Sequence, residues 1–218
     1  MHVLIINGSP RVKKYSNTDK ILKKFTDGLV SEGNTYEQYE VSDRKQWDSI
    51  RKAFNKAENI LIAIPLCVEN IPGLLLEFLE TVSPRQGDAN ISYILQGGFA
   101  EASQLRCGEE YLEMLSRNLG CEYRGTLVKG DNFSIRFFEG KKQDMVTGPY
   151  QRMGEIYGKE GNFFGEECKA FAGPETFPPH MRVFLGIIFK TVGKIMFNKI
   201  ARDSLGCKEP LDLRPYGT

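Results

Sequence analysis

Two short polar segments near the amino terminus contain the residue types that bind phosphate. The first, Asn7-Gly8-Ser9-Pro10-Arg11, directly follows an apolar run, and the second, Ser16-Asn17-Thr18, begins a segment with helical spacing. Hydroxyl groups and backbone amides donate to phosphate oxygens, and the dipole at a helix start favours negative charge. We therefore expect a phosphate-binding loop formed by Ser9, Arg11, Ser16, Asn17 and Thr18.

Ser16 also has a purely structural interpretation. Together with Asp19 it has the form of a helix N-cap with an acidic residue three positions later. The Asn-Gly-Ser-Pro-Arg segment at the end of an apolar run favours a ligand site, but the capping role stays open.

Other phosphate-binding classes lack their motifs in this chain. There is no G-x-G-x-x-G for a dinucleotide and no G-x-x-x-x-G-K-[ST] for a P-loop. The first apolar run does not end in the acidic residues of a response regulator, and no cysteine is followed six positions later by the arginine of a small phosphatase.

Two later loops also follow apolar runs. The loop from residue 65 to 73 has apolar side chains and two prolines, which form a stiff wall suited to a flat aromatic ring. The loop from residue 96 to 101 has paired glycines, which allow backbone to approach a ligand closely, and a phenylalanine that could stack on a ring. Ordinary connecting loops would also explain both segments. The candidate residues are Pro65, Leu66, Cys67, Val68, Asn70, Gly97, Gly98 and Phe99.

The elements around these loops alternate between strands and helices. Apolar runs at 3–6, 59–64 and 91–95 predict strands covered on both faces, and the mixed segments 36–41 and 122–128 predict edge strands. Right-handed crossovers then place helices on both faces of a doubly wound sheet, with ligands beyond the carboxyl ends of the strands. Four helices are predicted by the apolar spacing of Ile21, Leu22, Phe25 and Leu29; of Trp47, Ile50 and Phe54; of Leu75, Phe78, Leu79 and Val82; and of Leu105, Leu112, Leu115 and Leu119.

Composition, charge and cysteine spacing argue against a nucleic-acid-binding, secreted or metal-binding protein. The 218 residues are 41% hydrophobic with a net charge of +1, so no overall field attracts nucleic acid. The amino terminus lacks the pattern of a secretory signal, and five widely spaced cysteines suit reduced thiols, so we expect a cytoplasmic protein. Two distant histidines and no Cys-x-x-Cys predict no metal site.

Taken together, the three loops resemble those of the NAD(P)H-dependent FMN reductase family of flavodoxin-like flavoproteins. The likeness covers about residues 1–130, and the first loop is its most specific part. It implies an α/β fold with a five-stranded parallel sheet of order 2-1-3-4-5, and the residues that follow add a helical carboxy-terminal extension. We expect one domain over 1–218, with the sheet core at about 1–130 and the extension at about 131–218.

The resemblance also implies a cofactor, FMN, and roles for the three loops. The first loop would hold the FMN phosphate, residues 65–68 with Asn70 would border the isoalloxazine, and residues 97–99 would close its other side. Relatives commonly have an aromatic residue where this chain has Cys67. Related iron–sulfur flavoproteins have closely spaced cysteines, which are absent here, so no cluster is expected.

The implied activity is an oxidoreductase with NAD(P)H as co-substrate. Hydride would pass from the nicotinamide to FMN and then to a small acceptor such as a quinone or a flavin. Because the cofactor performs that chemistry, no catalytic side chain is assigned. The alternative is a non-catalytic electron carrier, a flavodoxin. Such carriers are shorter and strongly acidic, so this longer, neutral chain favours the enzyme. A scaffold without cofactor is a third possibility.

The carboxy-terminal segment 181–202 is predicted to be one helix. Between His180 and Arg202 it has five cations, no acid and several large apolar residues. Basic amphipathic helices can lie on anionic membranes, but packing against the parent domain or a second subunit is the commoner use of such a stripe. We therefore expect a homodimer and no contact with a membrane surface.

Overall fold

The computed structural model of the chain contains a five-stranded parallel sheet. The structure describes residues 1–67 and 70–209. The strands are β1 (His2–Asn7), β2 (Thr35–Glu40), β3 (Asn59–Pro65), β4 (Asn90–Gln96) and β5 (Glu122–Lys129). They lie in the order β2-β1-β3-β4-β5, all parallel. This confirms the predicted fold class and strand order.

The position of each strand in the sheet follows from its residues. The central strands β1, β3 and β4 are nearly continuous apolar runs and are buried along almost their whole length. The outer strand β2 (TYEQYE) has no buried residue, and β5 is exposed or half-buried for its first three residues. Both were predicted as edge strands.

Helices cover both faces of the sheet. They are α1 (Asn17–Ser31), α2 (Trp47–Phe54), α3 (Gly73–Leu79), α4 (Arg106–Asn118), α5 (Gly140–Thr147), α6 (Pro149–Glu160), α7 (Glu166–Phe171), α8 (Pro179–Ile188) and α9 (Lys194–Leu205). Alternate residues of β1 enter different cores, because successive strand side chains point to opposite faces. Leu4 and Ile6 pack in the core with α2, α3 and α4, whereas Val3 and Ile5 pack in the core with α1 and α6.

One predicted helix ends earlier than expected. Helix α3 has Pro72 as its N-cap and ends at Leu79. Val82 lies beyond the end of α3, partly buried against the same core.

Helices α1 and α6 cross at two glycines. A Cβ added to Gly154 would lie 2.0 Å from the carbonyl oxygen of Phe25, and one added to Gly28 would lie 1.9 Å from that of Gln151. No side chain fits such a gap, so these glycines let the two backbones touch. Helix α6 therefore completes the core on the α1 face, a role that the sequence analysis did not predict for residues 149–160.

The chain divides into two compact units, Met1–Glu175 and Thr176–Thr218. Residues 131–175, expected to belong to an extension, lie in the same unit as the sheet. The prediction that all 218 residues form one domain stays a prediction.

In the second unit, α8 continues through a π turn (Phe189–Gly193) into α9, and Gly206 ends the helix in a left-handed conformation. The described residues contain no helix with the length and apolar character that a membrane span requires.

Candidate functional site

A cavity of about 690 Å³ opens where β1, β3 and β4 end. Residues from all three predicted loops line it, although they are far apart in sequence. The predicted site residues that line the cavity are Ser9, Arg11, Asn17, Thr18, Pro65, Leu66, Cys67, Gly97, Gly98 and Phe99. The parallel sheet brings them together because its strands all end at the same edge.

The first loop is held in place by its own backbone and side chains. The Gly8 amide donates to the carbonyl of Ala63 in the neighbouring β3 at 2.9 Å. The Ser9 amide donates to Asn7 Oδ1 at 3.0 Å, and the Arg11 amide donates to Ser9 Oγ at 3.3 Å. The loop is therefore ordered by internal hydrogen bonds, with Ser9 and Arg11 on the cavity wall.

The start of α1 lies at the cavity, and its cap is Ser16. Ser16 Oγ accepts from the Asp19 amide at 3.1 Å, and its side chain is fully buried. This is the capping role that the sequence left open, and Ser16 is not among the cavity-lining residues. Asn17 and Thr18 do line the cavity. Their amides, at the first two helical positions, have no acceptor within the helix.

Two side-chain contacts fix the start of α1. Thr18 Oγ1 accepts from Gln96 Nε2 at 3.1 Å, which ties the helix to the end of β4. Asn17 Nδ2 donates to the Asn132 carbonyl at 2.9 Å. Asn17 Oδ1 is buried and has no hydrogen-bond partner among the described residues. A buried acceptor without a donor is uncommon in proteins and is a place where a ligand hydroxyl can bind.

Two arginines give the cavity a positive potential. Arg11 and Arg136 both line it, and neither forms an ion pair with a described residue. Arg136 lies against the rings of Phe133 and Phe137, with its guanidinium carbon 5.4 Å from each ring centroid. Partial burial lowers the pKa of Arg136, and the positive charge of Arg11 lowers it further. An anion placed near the two guanidinium groups would favour their charged form and so offset both effects.

The second loop forms an apolar wall. Pro65 and Leu66 line the cavity, and the Leu66 amide donates to the Gln96 carbonyl at 2.7 Å. Cys67 and Asn70 exchange backbone hydrogen bonds of 2.8 and 3.2 Å. Asn70 Oδ1 accepts from the Ile71 amide, so its side chain closes the turn and does not line the cavity. Val68 lies outside the described residues.

The third loop joins the cavity to the chain after β5. The Gly97 amide donates to the Lys129 carbonyl at 3.0 Å, and the Asp131 amide donates to the Phe99 carbonyl at 2.9 Å. A Cβ on Gly130 would lie 2.2 Å from the Phe99 carbonyl oxygen, so glycine is required there. The Phe99 side chain is 76% exposed at the edge of the cavity.

Several cavity residues were not predicted as site residues. They are Pro10, Gln96, Gln104, Leu105, Asn132, Phe133 and Arg136. Gln96 could have been found, because it ends the apolar run of β4 immediately before the paired glycines. Asn132, Phe133 and Arg136 follow β5, whose carboxyl end points to the same edge of the sheet, but no local motif marks them.

Asn132 connects four parts of the site. Its backbone amide donates to the Gly97 carbonyl at 3.0 Å, and its own carbonyl accepts from Asn17. Its buried side-chain amide donates to the Lys129 carbonyl at 3.0 Å and to the hydroxyl of Tyr150, in α6, at 2.9 Å. Helix α6 thus supports the cavity through this residue.

Comparisons with known proteins show the fold of the chain. No protein-family model and no curated protein matches the sequence. An NAD(P)H:quinone oxidoreductase from Methanothermobacter marburgensis aligns over 74% of this chain and 99% of its own, at 16% identity and a TM-score of 0.56. The apo form of an NADH:FMN oxidoreductase aligns over 83% of this chain and 98% of its own, at 12% identity and a TM-score of 0.53. General stress protein 14 from Treponema denticola, solved with FMN, aligns over 72% of this chain and 98% of its own, at 13% identity and a TM-score of 0.53.

The cavity has the size and chemistry for a mononucleotide with an aromatic base. Its volume falls within the range of about 300–1,000 Å³ typical of small-molecule sites. Guanidinium groups, hydroxyls and helix amides provide donors for a phosphate, and Asn17 Oδ1 provides an acceptor for a sugar hydroxyl. Pro65, Leu66 and the phenylalanines provide apolar surface for a ring.

Proposed function

We propose that the chain is an FMN-dependent oxidoreductase of the NAD(P)H-dependent FMN reductase family. It would take hydride from NAD(P)H through bound FMN to a small electron acceptor. The observation that carries the proposal is the cavity at the carboxyl edge of the sheet, where the start of α1 and two arginines that form no ion pair with a described residue adjoin an apolar wall. The solved proteins with this fold include a quinone oxidoreductase, an FMN oxidoreductase and a protein bound to FMN, which supports the same function.

Two sets of residues would bind different parts of the cofactor: a polar set would hold the phosphate and the ribityl chain, and an apolar set would border the ring. Arg11, Arg136, the hydroxyls of Ser9 and Thr18 and the first amides of α1 would hold the phosphate, which carries up to two negative charges. Asn17 Oδ1 would accept from a ribityl hydroxyl. The apolar loops from residue 65 and from residue 97 would border the ring, as the sequence predicted.

Bound FMN would supply the redox chemistry, because it accepts a hydride and returns electrons singly or in pairs, which no side chain does. The chain would position the ring, set its potential and restrict access to it. The acceptor, which could be a quinone, a flavin or a similar molecule, and the choice between NADH and NADPH remain predictions. The expected homodimer and cytoplasmic location also remain predictions.

A comparison of FMN with riboflavin tests the phosphate site. Both Arg11→Gln and Arg136→Gln should weaken FMN binding, because each charge-assisted hydrogen bond to phosphate contributes roughly 1.5–3 kcal/mol, or about 10- to 140-fold in affinity. Riboflavin has no phosphate, so its affinity should not change. Titration followed by flavin fluorescence measures both ligands.

Arg117→Gln is the matched control for these variants. It removes the same charge from an exposed position on α4 outside the cavity and should leave FMN affinity unchanged. If Arg11→Gln and Arg136→Gln bind FMN as tightly as the control Arg117→Gln, the phosphate assignment is wrong. An equal loss for riboflavin would show that the arginines act on the fold and not on the phosphate.

Anaerobic mixing with NADH and NADPH distinguishes an enzyme from an electron carrier. If the chain is an oxidoreductase, one of the two nucleotides should bleach the bound flavin without any added reductase. A flavin that binds but stays oxidised with both nucleotides would support the carrier and contradict the proposed activity.

A further inference from the structure

The helical segment 179–205, formed by α8, the π turn and α9, exposes an unusual amount of apolar surface. Nine large apolar side chains between residues 181 and 197 are 37% to 72% exposed. They are Met181, Val183, Phe184, Ile187, Phe189, Val192, Ile195, Met196 and Phe197. Soluble proteins rarely leave this much apolar surface on one segment uncovered unless something binds it. We refer to these nine residues as the apolar face.

All charges within this helix up to Arg202 are positive. Arg182, Lys190, Lys194, Lys199 and Arg202 are its cations, and no acid occurs between His180 and Arg202. Four of the five lie in one series with four- or eight-residue spacing: 182, 190, 194 and 202. Residues four apart are neighbours on a helix surface, so this series forms one basic edge along the segment.

The π turn helps to keep this edge straight. With 3.6 residues per turn, a spacing of four residues drifts by about 40° at every step of an α-helix. The wider turn at Phe189–Gly193, between Arg182 and Lys194, reverses part of that drift. The segment therefore has a broad apolar face and a basic margin along its whole length.

We propose that this segment binds the surface of an anionic lipid bilayer. A helix with an apolar face, phenylalanines and a margin of lysine and arginine is the form of an interfacial helix, which lies in the headgroup region and does not span the membrane. The cations match the negative charge of the lipid headgroups.

The charges argue against a second copy of the chain as the occupant. In a symmetric dimer both copies use the same surface, so two segments that pair through the apolar face would bring both sets of cations to one interface. Juxtaposed like charges oppose such pairing. The apolar face alone fits a dimer, as the sequence analysis expected, but the apolar face and the cations together fit an anionic bilayer better. This proposal is independent of the proposed function.

Vesicle sedimentation of the full chain tests the proposal. The probes are vesicles of equal parts phosphatidylglycerol and phosphatidylcholine, and vesicles of phosphatidylcholine alone. The protein should sediment with the first and not with the second at about 0.1 M salt, and binding should weaken at about 1 M salt, where the Debye length falls from about 10 to 3 Å.

Two double variants separate the contribution of charge to vesicle binding from the contribution of the apolar side chains. Lys190→Gln with Lys199→Gln should weaken vesicle binding by about 25-fold, from about fivefold for each cation near an anionic surface. Ile187→Ser with Val192→Ser should weaken it by about tenfold or more, because both side chains would be buried in the bilayer. Neither pair should unfold the chain, since all four side chains are exposed.

Lys141→Gln with Lys142→Gln is the matched charge control. It removes two exposed lysines from α5, outside the segment, and should bind vesicles like the parent chain. An equal loss in this control would overturn the assignment to the helix, because net charge alone would then explain binding. Equal binding to both vesicle types would overturn recognition of negative charge.

A measurement of the oligomeric state covers the case in which the chain binds neither type of vesicle. If the chain stays in the supernatant with both vesicle types, the proposal is wrong. Light scattering would then show whether a second copy covers the apolar face: a dimer that Ile187→Ser with Val192→Ser converts to a monomer would identify that occupant.

Discussion

Replacing Asn132 by alanine tests whether one buried amide joins the end of β5 to α6. Its side chain donates to the Lys129 carbonyl and to the Tyr150 hydroxyl, at 3.0 and 2.9 Å. The Lys129 carbonyl also accepts from the Gly97 amide, so it keeps a partner in the variant. The Tyr150 hydroxyl, whose side chain is 1% exposed, would lose the donor that Asn132 provides.

These contacts set the size of the effect. A hydrogen bond contributes about 1 kcal/mol net, and a buried group left without a partner costs about 1–3 kcal/mol. Asn132→Ala should therefore lower the free energy of unfolding by about 2–4 kcal/mol. For a chain of this size that corresponds to a fall in Tm of about 4–16 °C.

Tryptophan fluorescence during urea unfolding is a suitable assay. The chain has one tryptophan, Trp47, which lies in the core with α2 and α3, so the signal reports the unit that contains Asn132. Tyr150→Phe removes the hydroxyl and completes a double-mutant cycle. In that background, Asn132→Ala should cost about 1–2 kcal/mol less than in the parent chain. Strictly additive effects of the two changes would show that Asn132 and the Tyr150 hydroxyl do not stabilise each other.

Two other changes test the packing and the electrostatics of the sheet unit. Gly154→Ala should lose about 2 kcal/mol or more, because its Cβ would lie 2.0 Å from the Phe25 carbonyl oxygen and this clash outweighs the helix propensity gained. Gly73→Ala, with nothing within 4 Å of its Cβ, should be neutral or stabilising in the same urea assay, and an equal loss in both would contradict the tight crossing. Burial raises the pKa of Glu40 although its carboxylate accepts a hydrogen bond from Gln38. The folded chain therefore holds this proton to a higher pH than the unfolded chain, and stability falls as pH rises from about the ordinary glutamate value through the raised one. Glu40→Gln should show a smaller fall across that window when unfolding is measured at a series of pH values, and an identical fall would rule out Glu40 as its source.

The sheet could be predicted because the composition of each strand indicates its place: apolar strands lie in the centre and mixed strands lie at the edges. The apolar runs at 3–6, 59–64 and 91–95 are typical of strands that are covered on both faces of a parallel sheet, and the strand order follows from the resemblance of the loops. The same reasoning located three of the cavity walls, since each follows such a run directly.

Residues 130–175 were not predicted, for physical reasons that differ from one element to another. The sequence of helix α6 has features that predict a helix: Pro149 at its start, Tyr150, Met153 and Tyr157 at helical spacing, and Gly161 at its end. In the structure these three spaced residues are buried, and Gly161 has a left-handed conformation. In contrast, the fit of Gly154 against α1 depends on the distance between two helices, which no local pattern encodes. Arg136 reaches the cavity only because β5 ends beside β4.

Titration of the purified full chain with FMN, followed by absorbance and flavin fluorescence, shows whether the cavity binds this cofactor. We expect saturable binding of one FMN per chain, with affinity lowered by Arg11→Gln and Arg136→Gln and unchanged by Arg117→Gln. A chain that is isolated without colour and leaves added FMN free in solution, even in excess, would contradict it.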